Sequence, residues 1–165
     1  MKKFCLILVF LLIAICSIEA SEIKADPALI ITTLDGNNFD LKEKQGKVVI
    51  INFWAKWCNS CRKEMLILDE IYNEYKSKGL EIIGISIDRR SQRKKVLEIS
   101  SSLAYPNAMF FEAKEISFEE PDIIPVNYVI DKNGKLITKI INTDAAEITK
   151  QDFENILKPL LNFVN

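Results

Sequence analysis

The succession of apolar patterns along this chain predicts an α/β fold, a central mixed β-sheet flanked by helices. Three observations carry the prediction. The runs Val48–Asn52 and Leu80–Ile87 are nearly continuous in apolar, β-branched residues, as in strands buried on both faces. Between them, Met65, Leu68, Ile71, Tyr72 and Tyr75 recur at three- and four-residue spacing, the stripe of a helix lying on a sheet. Further on, Asp131-Lys132-Asn133-Gly134 separates two apolar segments and marks an antiparallel hairpin.

Taken in order, Met1-Lys2-Lys3 and the apolar run from Phe4 read as an export signal. The run, extended to Ile18, spans about 22 Å as a helix, short of the roughly 30 Å of a bilayer core. A cleaved signal ending at Ala20 is therefore expected over a membrane anchor. Ile13-Ala14-Ile15-Cys16 offers a lipid anchor on Cys16 as the alternative. Residues 21–28 are then a linker, and 29–165 form one domain.

Leu29–Leu34 is predicted as a strand, Asp35-Gly36-Asn37 as a turn, and Asn38–Leu41 as its returning strand. Lys42–Lys47 is a polar loop. A helix is expected from Cys58 to about Ser77, closed by Gly79. Gln92–Leu103 reads as a second helix and Ala108–Phe111 as a short strand. Glu112–Asp122 is acidic and reads as irregular, with Phe118 turned inward. Ile123–Ile130 holds a proline and a strand, and Lys135–Ile141 is the partner strand. Thr149 and Asp152 resemble a capping box opening a last helix through about Phe163, with Pro159 kinking it or shifting its end. The architecture is thus a β–α–β core with an N-terminal β-hairpin extension, a central α–β insertion, and a closing ββα unit.

Composition removes several classes of function. Twenty-two basic residues against 23 acidic ones leave no field to hold nucleic acid. The absence of histidine excludes His-based acid–base pairs, Cys–His dyads and His-ligated metals. Of four cysteines, Cys5 and Cys16 fall in the export segment, so Cys58 and Cys61 alone serve the folded domain.

Cys58-Asn59-Ser60-Cys61 follows a buried strand and opens a helix, where free N–H groups and the macrodipole favour a thiolate. Two sulfurs on one turn can close a disulfide. Cys58, at the exposed position, would be the nucleophile, and Cys61 would attack back to release the substrate. Zinc would need two further ligands, and covalent haem would need a histidine where Arg62 stands. A four-residue structural loop would staple little. No metal and no cofactor are expected.

The block Asn52-Phe53-Trp54-Ala55-Lys56-Trp57-Cys58-Asn59-Ser60-Cys61-Arg62-Lys63-Glu64 resembles the active-site segment of the TlpA/ResA/CcmG-type proteins, as do Phe39-Asp40-Leu41, Gly46–Val49, Glu81–Asp88 and Pro125–Asp131. These are exported bacterial thiol–disulfide oxidoreductases. The resemblance runs from about Leu29 to Leu161 and implies a thioredoxin-like fold. It implies a periplasmic or outward-facing membrane-attached reductant with a redox-active Cys58–Cys61 disulfide. Its substrates would be protein disulfides, among them apocytochrome c cysteines during cytochrome c biogenesis. A membrane electron donor of the thioredoxin-reducing kind would recharge it, and it would work as a monomer.

Residue by residue, the resemblance makes Pro125 a cis-proline beside the sulfurs, with the Ile124 backbone free to pair with an extended substrate. Trp57 would form the apolar rim of the site. Trp54 would stand near it, in the core or against substrate. Asn52 takes the place where cytoplasmic thioredoxins bury an aspartate. Glu64 would then be the proton acceptor for Cys61, unless it is an exposed helix residue paired with a lysine. Leu66 departs from the helix-kinking proline of many relatives.

Three other functions compete with a reductase. They are an oxidase or isomerase of exported proteins, a thiol peroxidase, and a binding module that uses the fold without chemistry.

Overall fold

All seven residues of β3 (Val48–Trp54) are buried, and the sheet is built around this strand. The structure is a computed structural model that describes residues 27–142 and 148–161. The export segment, most of the linker, and the last helix beyond Leu161 lie outside the described residues. Among the described residues, no helix is long and apolar enough to cross a membrane.

Seven strands form one sheet in the order β2-β1-β5-β4-β3-β6-β7. They are β1 (Leu29–Thr33), β2 (Asn38–Asp40), β3, β4 (Leu80–Ser86), β5 (Asn107–Ile116), β6 (Val126–Ile130) and β7 (Leu136–Ile141). β3 pairs parallel with β4 and β4 with β5, while β6 lies antiparallel on the other side of β3. Helices α1 (Asn59–Tyr75) and α2 (Arg93–Ser100) make the crossovers, and α3 (Lys150–Leu161) closes the chain.

The predicted α/β class and mixed sheet are observed. The α-helices of the described residues pack on one face of the sheet. Val48 and Ile50 meet Leu68 and Ile71 of α1 and Phe153 and Leu157 of α3. Trp54 meets Met65 of α1 and Val96 of α2. The intervening side chains Val49, Ile51 and Phe53 face Phe39, Leu41 and Phe118 instead, so no α-helix of the described residues covers that face. Phe53 packs edge-on to Tyr128 with ring centroids 5.8 Å apart.

Two stretches correct the sequence reading. The strand expected at Ala108–Phe111 runs from Asn107 to Ile116, into the segment read as irregular. Its second half pairs only with β1, through Ile31–Ala113 and Ile30–Glu115. A strand with one neighbour and one wet face shows no continuous apolar run, which is why its polar residues look like a loop. That same pairing draws the N-terminal hairpin into the main sheet. The loop expected at Lys42–Lys47 begins as a 3-10 turn, Leu41–Lys44, which Asp40 caps by accepting from the Lys42 N–H at 2.9 Å.

Phe118 is buried, as predicted. Gly79 ends the α1 segment at φ 96°, a left-handed conformation that costs glycine nothing. Thr149 and Asp152 form the capping box: the Thr149 N–H and hydroxyl donate to Asp152 Oδ2 at 2.9 and 2.6 Å. Those donors hold the Asp152 carboxyl below its ordinary range. α3 continues past Pro159 to Leu161.

Candidate active site

β3 delivers the chain to the site, and a short loop places Cys58 as the N-cap of α1. The loop is held from two sides. Ile87 N–H donates to the Trp54 carbonyl at 3.0 Å, and Lys56 N–H donates to Asp88 Oδ2 at 2.7 Å. Asp88 is itself buried and accepts from the Ser86 hydroxyl at 2.9 Å. The sequence reading placed Asp88 only in the block Glu81–Asp88 that carries the resemblance. Its support of the loop depends on a contact 32 positions away, which no local pattern signals.

Cys58 and Cys61 are joined as a disulfide. Cys58 Sγ takes the place of a capping oxygen and accepts from the Cys61 N–H at 3.1 Å. A sulfur there is aimed at by the free amides of the first turn, so negative charge left on Cys58 by disulfide cleavage is stabilised. Ser60 Oγ lies 3.4 Å from the same sulfur. Cys58 keeps 7% of its surface while Cys61 has none, so an incoming group meets Cys58 first.

Opposite the sulfurs, the Ile124–Pro125 bond is cis. The Ile124 carbonyl oxygen is 4.0 Å from Cys58 Sγ, and the Ile124 N–H makes no hydrogen bond among the described residues. Trp57 is 65% exposed and Ile123 56%, so the mouth of the site has an apolar rim. Trp54, by contrast, is wholly buried, and its Nε1–H donates to Asn107 Oδ1 at 3.1 Å. It is a core residue beneath the loop.

Glu64 sits one turn beyond Cys61 on the inner face of α1 and is 1% exposed. The alternative of an exposed glutamate paired with a lysine is thereby overturned: this side chain is turned to the sheet. Three buried carboxamides donate to it. Asn52 and Asn127 reach Oε1 at 3.1 and 2.8 Å, and Asn142 reaches Oε2 at 3.1 Å. Burial pushes the Glu64 carboxyl above its ordinary value, and the three amide donors pull it part of the way back. Asn127 and Asn142 were not singled out from the sequence. An i, i+3 spacing finds Glu64 from Cys61, but only strand pairing brings residues 127 and 142 to it.

The raised carboxyl has a measurable consequence for stability. A folded-state value above the unfolded one favours the neutral form, so its contribution is present at low pH and lost as pH rises through the folded midpoint. In the disulfide form, wild type should lose stability across that interval and Glu64→Gln should not. Thermal melts from about pH 4 to about pH 8 check this, with the variant gaining on wild type at the upper end.

Comparison with known proteins agrees with the geometry. Residues 19–140 match the AhpC/TSA family. The chain is 36% identical over 137 residues to the thiol-disulfide oxidoreductase ResA of Bacillus cereus, covering 83% of this chain and 77% of that one. It is 24% identical over 139 residues to ResA of Bacillus subtilis, covering 84% and 77%. Among solved structures, a putative thiol:disulfide interchange protein DsbE from Chlorobium tepidum superposes with a TM-score of 0.67 at 22% identity, covering 83% of this chain and 95% of that one. The thioredoxin domain of a thiol-disulfide oxidoreductase from Bacteroides vulgatus gives 0.61 at 29% identity, with the same coverage.

Proposed function

The chain belongs to the AhpC/TSA family and, within it, to the ResA-like thiol–disulfide oxidoreductases; from that premise we propose that it reduces protein disulfides outside the cytoplasm. The observation that carries the chemistry is the Cys58–Cys61 disulfide at the start of α1, faced by the Ile124–Pro125 wall.

In the reducing direction, the Cys58 thiolate attacks one sulfur of a substrate disulfide. A Cys58–substrate mixed disulfide forms, and the other substrate sulfur leaves as a thiolate. Cys61 gives its proton to Glu64 and attacks Cys58 Sγ, which releases the second substrate sulfur and closes Cys58–Cys61. Two electrons pass from the protein dithiol to the substrate. The substrate lies extended along the Ile124 backbone with Trp57 and Ile123 against its apolar side chains. Glu64 is suited to its part because a carboxyl raised by burial lies closer to thiol values than an exposed one.

The basic and apolar residues from Met1 to Ala20 support export, with the domain facing the periplasm or anchored to the outer side of the membrane. There the dithiol is kept reduced by a membrane electron donor, and apocytochrome c cysteines are the substrates we assign. The protein acts as a monomer. Trapping with Cys61→Ser in the native compartment tests the assignment, since the variant retains its mixed disulfides. Apocytochrome c among the captured species is the expected result, and a broad set of exported proteins would overturn it. The potential of the pair tests direction: a value near or above about −150 mV would make the protein an oxidase.

A further inference from the structure

Glu64 lies in a cluster more polar than its burial warrants. Asn52 and Asn127 are wholly buried, and Asn142 is 8% exposed. Asn52 and Asn127 face each other across β3 and β6 and are linked by an Asn52 Nδ2 to Asn127 Oδ1 bond of 2.9 Å. A buried carboxamide without a full set of partners is costly, and apolar residues would fill the same space without that cost. Here one such cost stands: Asn52 Oδ1 is buried and accepts from no group among the described residues.

The arrangement has two further properties. Every contact from the cradle to the carboxylate is an N–H donor, so it fits the ionised form of Glu64. When Glu64 takes a proton, the new O–H needs an acceptor, and none of the three amides turns an oxygen to Glu64 in this arrangement. The cradle is also tied to the substrate wall. Asn127 is two residues beyond Pro125 on β6, and the Asn142 backbone N–H donates to the Pro125 carbonyl at 3.2 Å.

We propose that Asn52, Asn127 and Asn142 are positioning residues of the exchange reaction, a carboxamide cradle that sets the proton affinity of Glu64 and couples it to the Pro125 wall. The proposal rests on the reading of Glu64 as the proton acceptor for Cys61. The groups that touch Glu64 from β3, from β6 and from the residue that follows β7 are neutral amides, and no charged side chain contributes to its raised carboxyl. On its own helix the titrating neighbour is Cys61 when reduced. Two residues ahead of β5, the buried Tyr105 hydroxyl has its proton affinity raised by burial, with smaller contributions from Asp69 and Glu64. It stays protonated and neutral through the working range.

The experiment follows the Glu64 side-chain carboxyl by carbon NMR in the full chain held as the disulfide, where neither thiol titrates. Glu64→Gln assigns the signal by deleting it. Removing a donor should destabilise the anion, so Asn142→Ala and Asn127→Ser should each raise the midpoint, by about one pH unit. The pH profile of exchange should move with it. In wild type, the side-chain amide signals of Asn52, Asn127 and Asn142 should titrate at that same midpoint, a readout that needs no variant to fold. Unshifted midpoints in the variants, or amide signals indifferent to the Glu64 titration, would overturn the cradle. An exchange profile in Glu64→Gln identical to wild type would overturn the proton-acceptor reading itself.

Discussion

Replacing Cys58 by serine should reduce disulfide exchange by at least about a thousandfold, roughly 4 kcal/mol of transition-state stabilisation. An alkoxide is not available near neutral pH, and the helix start that favours a thiolate cannot supply one. Cys61→Ser should behave differently. Cys58 is the sulfur with exposed surface, so it should still attack a small aromatic disulfide, but the adduct should persist because nothing resolves it. Stopped-flow rates and non-reducing gels separate the two variants. A Cys58→Ser protein that keeps wild-type rates would reverse the assignment of nucleophile.

Gly84→Ala should cost about 3 kcal/mol of folding free energy, through overpacking and the loss of a buried hydrogen bond. A Cβ on Gly84 would overlap Asn107 Oδ1 and lie 2.9 Å from Asn107 Cγ and 3.2 Å from Trp54 Nε1. Asn107 has little room to retreat. Its Oδ1 accepts from Trp54, its Nδ2 donates to the Tyr105 carbonyl at 3.1 Å, and its backbone pairs with β4 at Gly84. The change is one methyl group, yet it strikes the support beneath the active-site loop. Urea unfolding measures it, and a loss below about 1 kcal/mol would mean that Asn107 can move aside.

The two sulfurs, the cis-proline and Glu64 were legible in the sequence because each sits in, or at a fixed spacing from, a recognisable local block. The sheet core was legible for a related reason: strands buried on both faces announce themselves by composition alone. What sequence did not disclose depends on pairing between distant segments. Asn127 and Asn142 reach Glu64 because β6 lies beside β3 and β7 beside β6, a register that no periodicity records. Asp88 reaches the active-site loop by the same route, through the parallel pairing of β3 and β4. The second half of β5 escaped notice because it has one strand neighbour and carries polar side chains. Gly84 offers no side chain to read, and its importance lies in what occupies the space it leaves.

The full burial of β3 also bears on how this molecule comes apart. Its backbone is paired to β4 on one side and β6 on the other, so its amides meet water only when the sheet itself separates. Fluctuations that fray chain ends and loops leave it untouched. The sulfur chemistry therefore takes place at the tip of a strand paired on both sides, where slow hydrogen exchange is expected, and Cys61, rooted one turn above it, is shielded from below by that strand.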